Sequence, residues 1–389
     1  MPSIPRDTIP LAPCQLGELM RDSALPRHEA RRLMSLVTGR PMTWLIAHDQ
    51  DETDTDTQQR FQQLAARRRA GEPLAYLTGE QEFYGRPFLV SPAVLIPRAD
   101  TETLIEVALA KLAPIFGQPI GGSPDRIAPS VPVTCTTTQP PAPLSSIKAA
   151  GSGSGSARII DLGTGSGIIA ITLALTLAER WNLPLAQPPQ AAEARPSASA
   201  SRQPIGAPQA VTAGLAATVH TATSAQADAG DASNEHALTI HAVDLSADAL
   251  AIAQQNADRL GAHIQWYQGS WWDALPPDTP PVDLIVSNPP YIATGDHHLQ
   301  EGDLRFEPPQ ALAAGPDGLD DLRQIITGAR QHLKPGGWLL LEHGYDQEDP
   351  VQALLDAAGF VEVFTQRDLA GQPRVSGGRQ PPRSDTSRL

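Results

Sequence analysis

The chain has 389 residues, and 29 Lys and Arg against 43 Asp and Glu give a formal net charge of −14. This length predicts two domains, with room for a third. The apolar share of 41% is sufficient for a core, and the 38 Pro and 31 Gly residues indicate extensive loop sequence beside the folded part. The acidic charge argues against broad, sequence-independent binding to nucleic acid.

The number of cysteines and the hydropathy of the chain exclude further classes of protein. Cys14 and Cys135 are too few for a disulfide framework or a four-thiolate metal site, which favours a reducing compartment. The longest apolar run, Ile168 to Ala178, is shorter than the roughly 18 residues that a membrane span needs. Residues 1–5 lack the basic start and apolar core of a signal peptide. We therefore expect a cytoplasmic protein with no membrane partner.

The N-terminal part, residues 14–79, has the pattern of helices. Apolar residues at 30, 33, 34 and 37 form one stripe of a helix that Gly39 can end. A second helix is predicted over 54–70. It closes with Arg67-Arg68-Arg69, which is either a solvated last turn favoured by the helix dipole or a contact for RNA or an acidic partner.

The next part of the chain contains a connection and two low-complexity segments. Residues 82–98 are strand-like but interrupted by Pro and Gly, which predicts a hairpin between two domains, and helix 101–112 follows. Segments 117–157 and 183–236 are rich in Pro, Ala, Ser, Thr, Gln and Gly. They bury too little apolar area to offset chain entropy, so we expect both to be disordered insertions.

From residue 157 onward, strands and helices alternate. Strands are predicted at 158–162, 238–244, 263–268, 282–287 and 338–342, helices at 167–180, 247–260, 318–333 and 347–358, and a final strand pair near 360–367 and 374–376. Repeated βα units predict an α/β fold with a mostly parallel sheet and helices on both faces. Ligands of such sheets bind at the carboxyl ends of the strands, where the motifs of this chain fall.

A glycine-rich turn, Asp161-Leu162-Gly163-Thr164-Gly165-Ser166-Gly167, joins the first of these strands to its helix. Glycines let the backbone turn sharply and let a ligand approach closely. The G-x-G-x-G spacing differs from the G-x-G-x-x-G of dinucleotide folds. An acid before the turn suits a ligand with an ammonium group rather than a pyrophosphate, and S-adenosylmethionine (SAM) is such a ligand.

Two further strand ends carry candidate cofactor residues. Asp244 ends the second strand, where a carboxylate can accept hydrogen bonds from the vicinal hydroxyls of a ribose. Trp271 and Trp272 follow the third strand, and an indole face there can pack on adenine. Either indole can make this contact, and we expect one of the pair to belong to the core.

The segment Asn288-Pro289-Pro290-Tyr291 closes the fourth strand, and its two prolines stiffen the backbone. The side-chain carbonyl of Asn288 and the backbone carbonyl of Pro289 then offer two fixed acceptors to a planar NH₂ group, and Tyr291 offers a face for stacking. An amide or exocyclic amine nitrogen is a poor nucleophile because its lone pair is delocalised. Acceptors on both N–H groups disfavour planarity and stabilise the developing positive charge, so alignment matters more than a strong base.

Together these motifs resemble the N5-glutamine methyltransferases of the HemK type, which modify peptide chain release factors. The resemblance also covers Gly71 to Gly79 with Glu82-Phe83, Leu95-Ile96-Pro97-Arg98 with Asp100-Thr101-Glu102, Arg305-Phe306-Glu307-Pro308 and Leu341-Glu342-His343-Gly344. Asn-Pro-Pro-Tyr is shared with adenine-N6 DNA methyltransferases, whereas the stretches at 96–98 and 305–308 make the resemblance specific.

The resemblance implies a seven-stranded class I SAM-dependent methyltransferase domain (Rossmann-like) at 101–379. A hairpin at 82–100 joins it to a helical substrate-binding domain at 1–81, and 380–389 is a flexible tail. It implies that SAM is held by Gly163, Thr164, Gly165, Ser166, Gly167, Asp244, Trp271 and Asn288. It implies that the substrate glutamine is bound by Asn288, Pro289, Pro290 and Tyr291, of which Asn288, Pro289 and Tyr291 are catalytic. The implied substrate is the glutamine of a Gly-Gly-Gln loop in a class I release factor, and we expect a monomer without metal or nucleic acid.

The chain departs from the family pattern at two positions. Ala99 stands where a second proline is usual, and Ser270 stands where an acid often precedes the tryptophan; the insertions and the tail are also additional. The residues leave three alternatives, namely an adenine-N6 or other amine or amide methyltransferase acting on nucleic acid, a non-catalytic SAM-binding protein, and a nucleotide-linked oxidoreductase. The acidic charge and the lack of a basic target-recognition domain argue against the first. The intact segment 288–291 argues against the second, and this segment and the glycine spacing argue against the third.

Overall fold

The structure, a computed structural model, describes residues 14–117, 156–183 and 238–382. Cys135 and nearly all of the two predicted insertions lie outside the described residues, as does most of the predicted tail.

The N-terminal part is helical, as expected. Within residues 14–79 the helices are α1 (Leu16–Asp22), α2 (Arg27–Thr38), α3 (Met42–Ala47), α4 (Thr55–Arg69) and α5 (Leu74–Thr78). The predicted stripe on α2 is buried, and Leu33 and Met34 pack against Phe61 of α4 in one apolar cluster. Two short strands, β1 (Cys14–Gln15) and β2 (Glu52–Thr53), pair antiparallel beside these helices, and the helical pattern of the sequence gave no sign of them.

The three arginines that end α4 all bind partners within this part of the chain. Arg67 Nε donates to Glu72 at 2.7 Å, and Arg69 Nη1 donates to the carbonyl of Ser23 at 2.7 Å. Arg68 forms two hydrogen bonds, of 2.8 and 2.9 Å, with the carboxylate of Glu29. The run therefore ties α4 to its neighbours, which favours the structural interpretation over an open cationic surface.

A hairpin with a two-residue turn follows the helices. Strands β3 (Glu80–Phe83) and β4 (Arg86–Leu89) pair antiparallel. Tyr84 and Gly85 form the turn with φ angles of +52° and +75°, the conformation that matches the twist of a tight hairpin. The paired strands are thus shorter than the predicted segment 82–98, and residues 90–100 continue as loop.

The C-terminal part is built on one seven-stranded sheet within the described residues. Its strands are β5 (Ala157–Leu162), β6 (Leu238–Asp244), β7 (Gln265–Gln268), β8 (Val282–Ser287), β9 (Leu333–Glu342), β10 (Val361–Arg367) and β11 (Pro373–Arg379), and their order is β10-β11-β9-β8-β5-β6-β7. Strands β5 to β9 run parallel, and β11 inserts antiparallel between β9 and β10. The predicted fold class is confirmed.

Helices cover both faces of this sheet. They are α6 (Thr101–Phe116), α7 (Ile168–Trp181), α8 (Ala247–Leu260), α9 (Asp320–His332) and α10 (Glu348–Ala357). Ile159 packs with α6 and α7, whereas its neighbour Ile160 packs with α9 and α10. Successive residues of a strand face opposite sides, so this central strand is apolar on both faces.

Strand order also determines where a ligand can bind. Along the sheet, β6 and β7 lie on one side of β5, and β8 and β9 lie on the other. The chain reverses its direction of winding between β5 and β8, which opens a crevice at the carboxyl ends of these strands. None of the helices that the structure describes is long and apolar enough to cross a membrane.

Candidate active site

A cavity of about 590 Å³ lies at this crevice. Its wall brings together eight of the predicted site residues: Gly163, Thr164, Gly165, Ser166, Asp244, Trp271, Asn288 and Pro290. The loop after the hairpin contributes residues 93–95, 97 and 98 to the wall. Residues from four strand ends and from the domain connection therefore enclose one space.

The glycine turn wraps the end of β5 against β6. The backbone N–H groups of Gly163 and Thr164 both donate to the carbonyl of Val243 at 2.9 Å. Gly163 and Gly165 have φ angles of +72° and +57°, which L-residues with a Cβ rarely adopt. A Cβ on Gly165 would meet no atom within 4 Å, so this residue borders open space on the cavity wall.

Gly167 has a different role from the other two glycines. It has a φ of +83°, and a Cβ there would lie 2.8 Å from Cδ1 of Ile171 and 3.2 Å from Cβ of Ala253. The residue thus permits α7 to approach α8 closely, and it is not on the cavity wall. Its direct contact with a cofactor stays a prediction.

Asp244 is one of two acids on the cavity wall, together with Asp321 of α9. Its Oδ2 accepts a hydrogen bond of 2.8 Å from the N–H of Gly165, and its Oδ1 accepts one of 2.9 Å from the N–H of Ser246. Burial raises the pKa of this carboxyl, and the two N–H donors oppose the shift. A carboxylate offers about four lone-pair positions, so Asp244 can hold the turn and still accept hydrogen bonds from a ligand.

The acid that precedes the turn points away from the cavity. Asp161 is fully buried, and its Oδ2 accepts hydrogen bonds from Thr164 Oγ1 at 2.6 Å and from the N–H of Ala170 at 3.1 Å. Burial raises its pKa to about 7. Asp161 therefore stabilises the turn and the start of α7, and of the two acids beside the turn only Asp244 lies on the cavity wall.

The two tryptophans lie in different surroundings. Trp271 starts a single 3₁₀ turn, Trp271–Ala274, and lines the cavity. Its ring lies beside Gly163, where a Cβ would be 3.2 Å from Cζ3 of the indole. Trp272 instead stacks on His332 of α9 at 4.6 Å, and its Nε1 donates to the carbonyl of Gln324 at 3.2 Å. Only Trp271 of the pair presents its indole to the cavity.

Asn288 is held by a hydroxyl from α6. Its Nδ2 donates to Oγ1 of Thr101 at 3.2 Å, and both residues line the cavity. Because Nδ2 is engaged in this bond, Oδ1 is the end of the Asn288 amide that can accept a hydrogen bond from a ligand.

The other members of the Asn-Pro-Pro-Tyr segment take different positions. Pro290 lines the cavity, whereas Pro289 is buried and is not on its wall, so the role of the Pro289 carbonyl as an acceptor stays a prediction. Tyr291 packs against the apolar cluster beneath α9 and α10, and its carbonyl accepts a hydrogen bond of 2.9 Å from Nε2 of Gln347. Burial raises the pKa of the Tyr291 phenol. Tyr291 is not on the wall of this cavity, and its stacking role stays a prediction.

Two polar residues of α9 line the cavity without having been predicted. They are Asp321 and Gln324. Burial raises the pKa of the Asp321 carboxyl, and a hydrogen bond from the Trp271 side chain opposes the shift. No local motif marks these residues, because they reach the site only through the packing of α9 beside the 3₁₀ turn.

Two buried polar contacts hold the hairpin and its loop against the site. The fully buried Asn256 accepts from the N–H of Leu89 at 2.6 Å and donates to the carbonyls of Leu89 and Ser166. Glu307, only 3% exposed, accepts from the N–H of Ile96 at 3.1 Å and forms an ion pair with Arg98. These contacts fix the wall that the domain connection contributes.

The strand order and the cavity at the switch between β5 and β8 give the C-terminal part the class I methyltransferase fold. A family model for the PrmC N-terminal domain matches residues 17–79, and one described as an RMKL-like methyltransferase domain matches residues 154–304. The chain belongs to the release factor glutamine methyltransferase family.

Two relatives that match more than nine tenths of this chain support the family assignment. The release factor glutamine methyltransferase of Bordetella pertussis is 39% identical over 363 residues, which cover 93% of this chain and 98% of the relative. That of Salmonella typhimurium is 36% identical and covers 93% of this chain and 95% of the relative. A solved protein-(glutamine-N5) methyltransferase from Alicyclobacillus acidocaldarius is 23% identical, with a TM-score of 0.31, and the match covers 76% of this chain and all of that chain.

Proposed function

We propose that this enzyme transfers the methyl group of SAM to the side-chain amide nitrogen of the glutamine in the Gly-Gly-Gln motif of class I peptide chain release factors. The names of its relatives support the substrate class. The observation that carries the chemistry is the hydrogen bond from Asn288 Nδ2 to Thr101, which leaves a carbonyl oxygen as the acceptor for an incoming amide. Such a reaction takes place in the cytoplasm, where the release factors are made.

The cavity fits a nucleoside-containing methyl donor. The Asp244 carboxylate has lone pairs left for the two hydroxyls of a ribose, Gly165 borders open space, and the face of Trp271 is available for adenine. When bound, SAM supplies an electrophilic methyl group on a positively charged sulfur. Asp244, the turn from Gly163 to Ser166 and Trp271 would hold it.

The residues beyond the donor orient the amide. Asn288 Oδ1 and the carbonyl of Pro289 accept the two N–H hydrogens of the substrate glutamine, which turns the nitrogen lone pair toward the methyl group. The same acceptors stabilise the positive charge that develops on nitrogen. The nitrogen gains the methyl group and afterwards loses one proton to solvent, so no strong general base is required. Tyr291 closes the segment against the core and keeps Pro289 and Pro290 in place.

A labelling experiment tests this proposal. The purified chain is incubated with methyl-labelled SAM and a purified class I release factor, and the labelled residue is identified by fragmentation mass spectrometry. We expect one label, on the glutamine of the Gly-Gly-Gln loop. A release factor with Gln→Asn at that position keeps an amide of shorter reach and is the matched control, and it should stay unlabelled.

The same experiment separates the proposal from its main competitor. Bare DNA is offered in place of the release factor, because the Asn-Pro-Pro-Tyr segment also suits an adenine amine. Methylated DNA together with an unlabelled release factor would overturn the protein-glutamine assignment.

A further inference from the structure

Glu342 is a buried acid beside the proposed amide site that none of the steps above uses. It is the last residue of β9 and is only 1% exposed. Among the described residues its Oε2 finds no hydrogen-bond partner. A buried carboxyl oxygen without a partner costs free energy, so its presence at the end of a strand needs a physical reason.

Strand register places Glu342 next to Asn288. Ser287 of β8 pairs with Leu341 of β9 in the parallel ladder, so the following residues, Asn288 and Glu342, leave the sheet side by side. Helix α6 packs on both strands, and its first residue, the fully buried Thr101, lies over this pair. Thr101 and Asn288 both interact with the carboxylate through hydrogen bonds that favour its ionised form.

A threonine hydroxyl alone does not determine the orientation of an amide. It can donate one hydrogen bond or accept others, so Thr101 could face either Oδ1 or Nδ2 of Asn288. An ionised carboxylate only accepts. If Glu342 takes the hydroxyl hydrogen, Thr101 is left with lone pairs, and these pair with Asn288 Nδ2, as the 3.2 Å contact shows.

We propose that Glu342 is a positioning residue which, mainly through Thr101 and to a smaller extent through its own contact with Asn288, fixes the Asn288 amide with Oδ1 toward the substrate amide. This inference rests on the proposed function, because the orientation matters only if the substrate presents N–H donors. Glu342 itself touches neither the substrate nor the reacting atoms. With the amide reversed, Asn288 would direct N–H groups at the N–H groups of the glutamine.

The charge of Glu342 makes the arrangement sensitive to pH. Burial raises the pKa of Glu342 to about 7, and hydrogen bonding and the charge of Arg374 oppose the shift. The other groups facing it are Asp100, before α6, and Tyr291, which burial keeps neutral. Arg374 already pairs with Asp100 at 3.3 Å and with Asp368 at 3.1 Å. The ionised carboxylate of Glu342, which can only accept hydrogen bonds, becomes more populated as the pH rises through 7. We therefore expect kcat to rise over that range.

The first test is Glu342→Gln, which keeps the shape but adds donors. We expect kcat to fall at least about tenfold, since small misplacements of orienting groups cost up to about 100-fold, while the Kd for SAM stays the same. The rise of kcat around pH 7 should disappear. The matched control is Asp283→Asn at the other end of β8, where Asp283 pairs with Lys334, and its kcat should equal that of the wild type.

Substitutions at Thr101 test the relay independently and remain informative if Glu342→Gln does not fold. Thr101→Val should lower kcat as much as Glu342→Gln does, and Thr101→Ser should retain it. The double variant Glu342→Gln/Thr101→Val should be no slower than either single variant, because both changes break one chain of hydrogen bonds. Full kcat in Thr101→Val, or losses that multiply in the double variant, would overturn the inference.

A measurement without substrate separates the inference from the proposed function. In the wild type, the side-chain NH₂ resonances of Asn288 should shift as the pH crosses 7, and in Glu342→Gln they should not. Asn288 resonances that change neither with pH nor on the substitution Glu342→Gln would overturn the proposed coupling between Glu342 and Asn288. A wild-type enzyme that labels no release factor would count against the proposed function alone, and the resonances would still decide the role of Glu342.

Discussion

The open space beside Gly165 allows a test of where the methyl donor binds. Gly165 and Gly39 both have left-handed backbones, with φ angles of +57° and +66°, and a Cβ on either would meet no atom within 4 Å. They differ in location, because Gly165 lines the cavity and Gly39 is an exposed residue after helix α2. Substitution by Ala therefore adds the same strain at both positions but places a methyl group in the cavity only at position 165.

The expected magnitudes follow from this comparison. A residue with a Cβ in the left-handed region costs about 1–2 kcal/mol, so both Gly165→Ala and Gly39→Ala should lower the free energy of unfolding by that amount. A methyl group forced into a filled site costs a further 1–3 kcal/mol or so, which corresponds to roughly a 5- to 150-fold rise in Kd. That second effect should appear only in Gly165→Ala.

Urea unfolding and isothermal titration calorimetry with SAM measure the two quantities on the same protein samples. Gly165→Ala with wild-type affinity for SAM would show that the donor does not lie against the turn. Equal losses of affinity in Gly165→Ala and Gly39→Ala would show that the effect is a general one on the fold, and the reasoning from the cavity would then be wrong.

Three further substitutions test separate parts of the site. Asn288→Ala should lower kcat by about 100-fold or more while the Kd for SAM changes little, because its carbonyl acts mainly in the transition state; steady-state kinetics that show unimpaired turnover would contradict the amide-alignment mechanism. Asp244→Ala removes charge-assisted hydrogen bonds of about 1.5–3 kcal/mol, so calorimetry should show a Kd for SAM roughly 10- to 150-fold higher, and an unchanged Kd would refute the ribose role. Glu307→Ala leaves Arg98 unpaired and should lower the free energy of unfolding by about 2–3 kcal/mol, near the lower end of the range for buried pairs because the Arg98 side chain is 34% exposed. In urea unfolding, the double variant Arg98→Met/Glu307→Leu should recover most of this loss, whereas a larger loss in the double variant would contradict the ion-pair account.

Residues at strand ends were the part of the site that the sequence revealed best. The predicted strands 238–244 and 282–287 have the observed bounds. Parallel strands bring their carboxyl ends to one edge, so the glycine turn, Asp244 and Asn288 could be expected to meet although long segments separate them in the chain. These motifs could be recognised in the sequence because each of them lies where a strand changes into a turn.

Contacts that depend on register and helix packing could not be read in the same way. Asp321 and Gln324 lie within a helix whose sequence shows only an ordinary amphipathic pattern. Thr101 belongs to a stretch that carries the family resemblance, but nothing in that stretch indicates its contact with Asn288. Glu342 was noted as part of a resemblance, but its place beside Asn288 follows from the pairing of Ser287 with Leu341. Such neighbours are set by tertiary structure, and a single sequence contains no local signal for them.

In the hairpin segment, the prolines hid the alternating pattern of a strand, so the ends of the paired strands could not be predicted. Pro87 lies inside β4 opposite Glu82, which an isolated two-stranded hairpin tolerates because one side of each strand needs no ladder hydrogen bonds. The prolines at 87, 92 and 97 made the whole segment look like interrupted strand. The paired region in fact ends at Leu89, and the following loop forms the cavity wall.

A crystal structure of the chain with S-adenosylhomocysteine and a peptide containing Gly-Gly-Gln tests the central claim most directly. We expect the glutamine Nε2 within about 2.7–3.2 Å of both Asn288 Oδ1 and the carbonyl oxygen of Pro289, with the nitrogen facing the sulfur of the bound product. A glutamine amide bound elsewhere in the cavity, or one that faces Nδ2 of Asn288, would contradict the account.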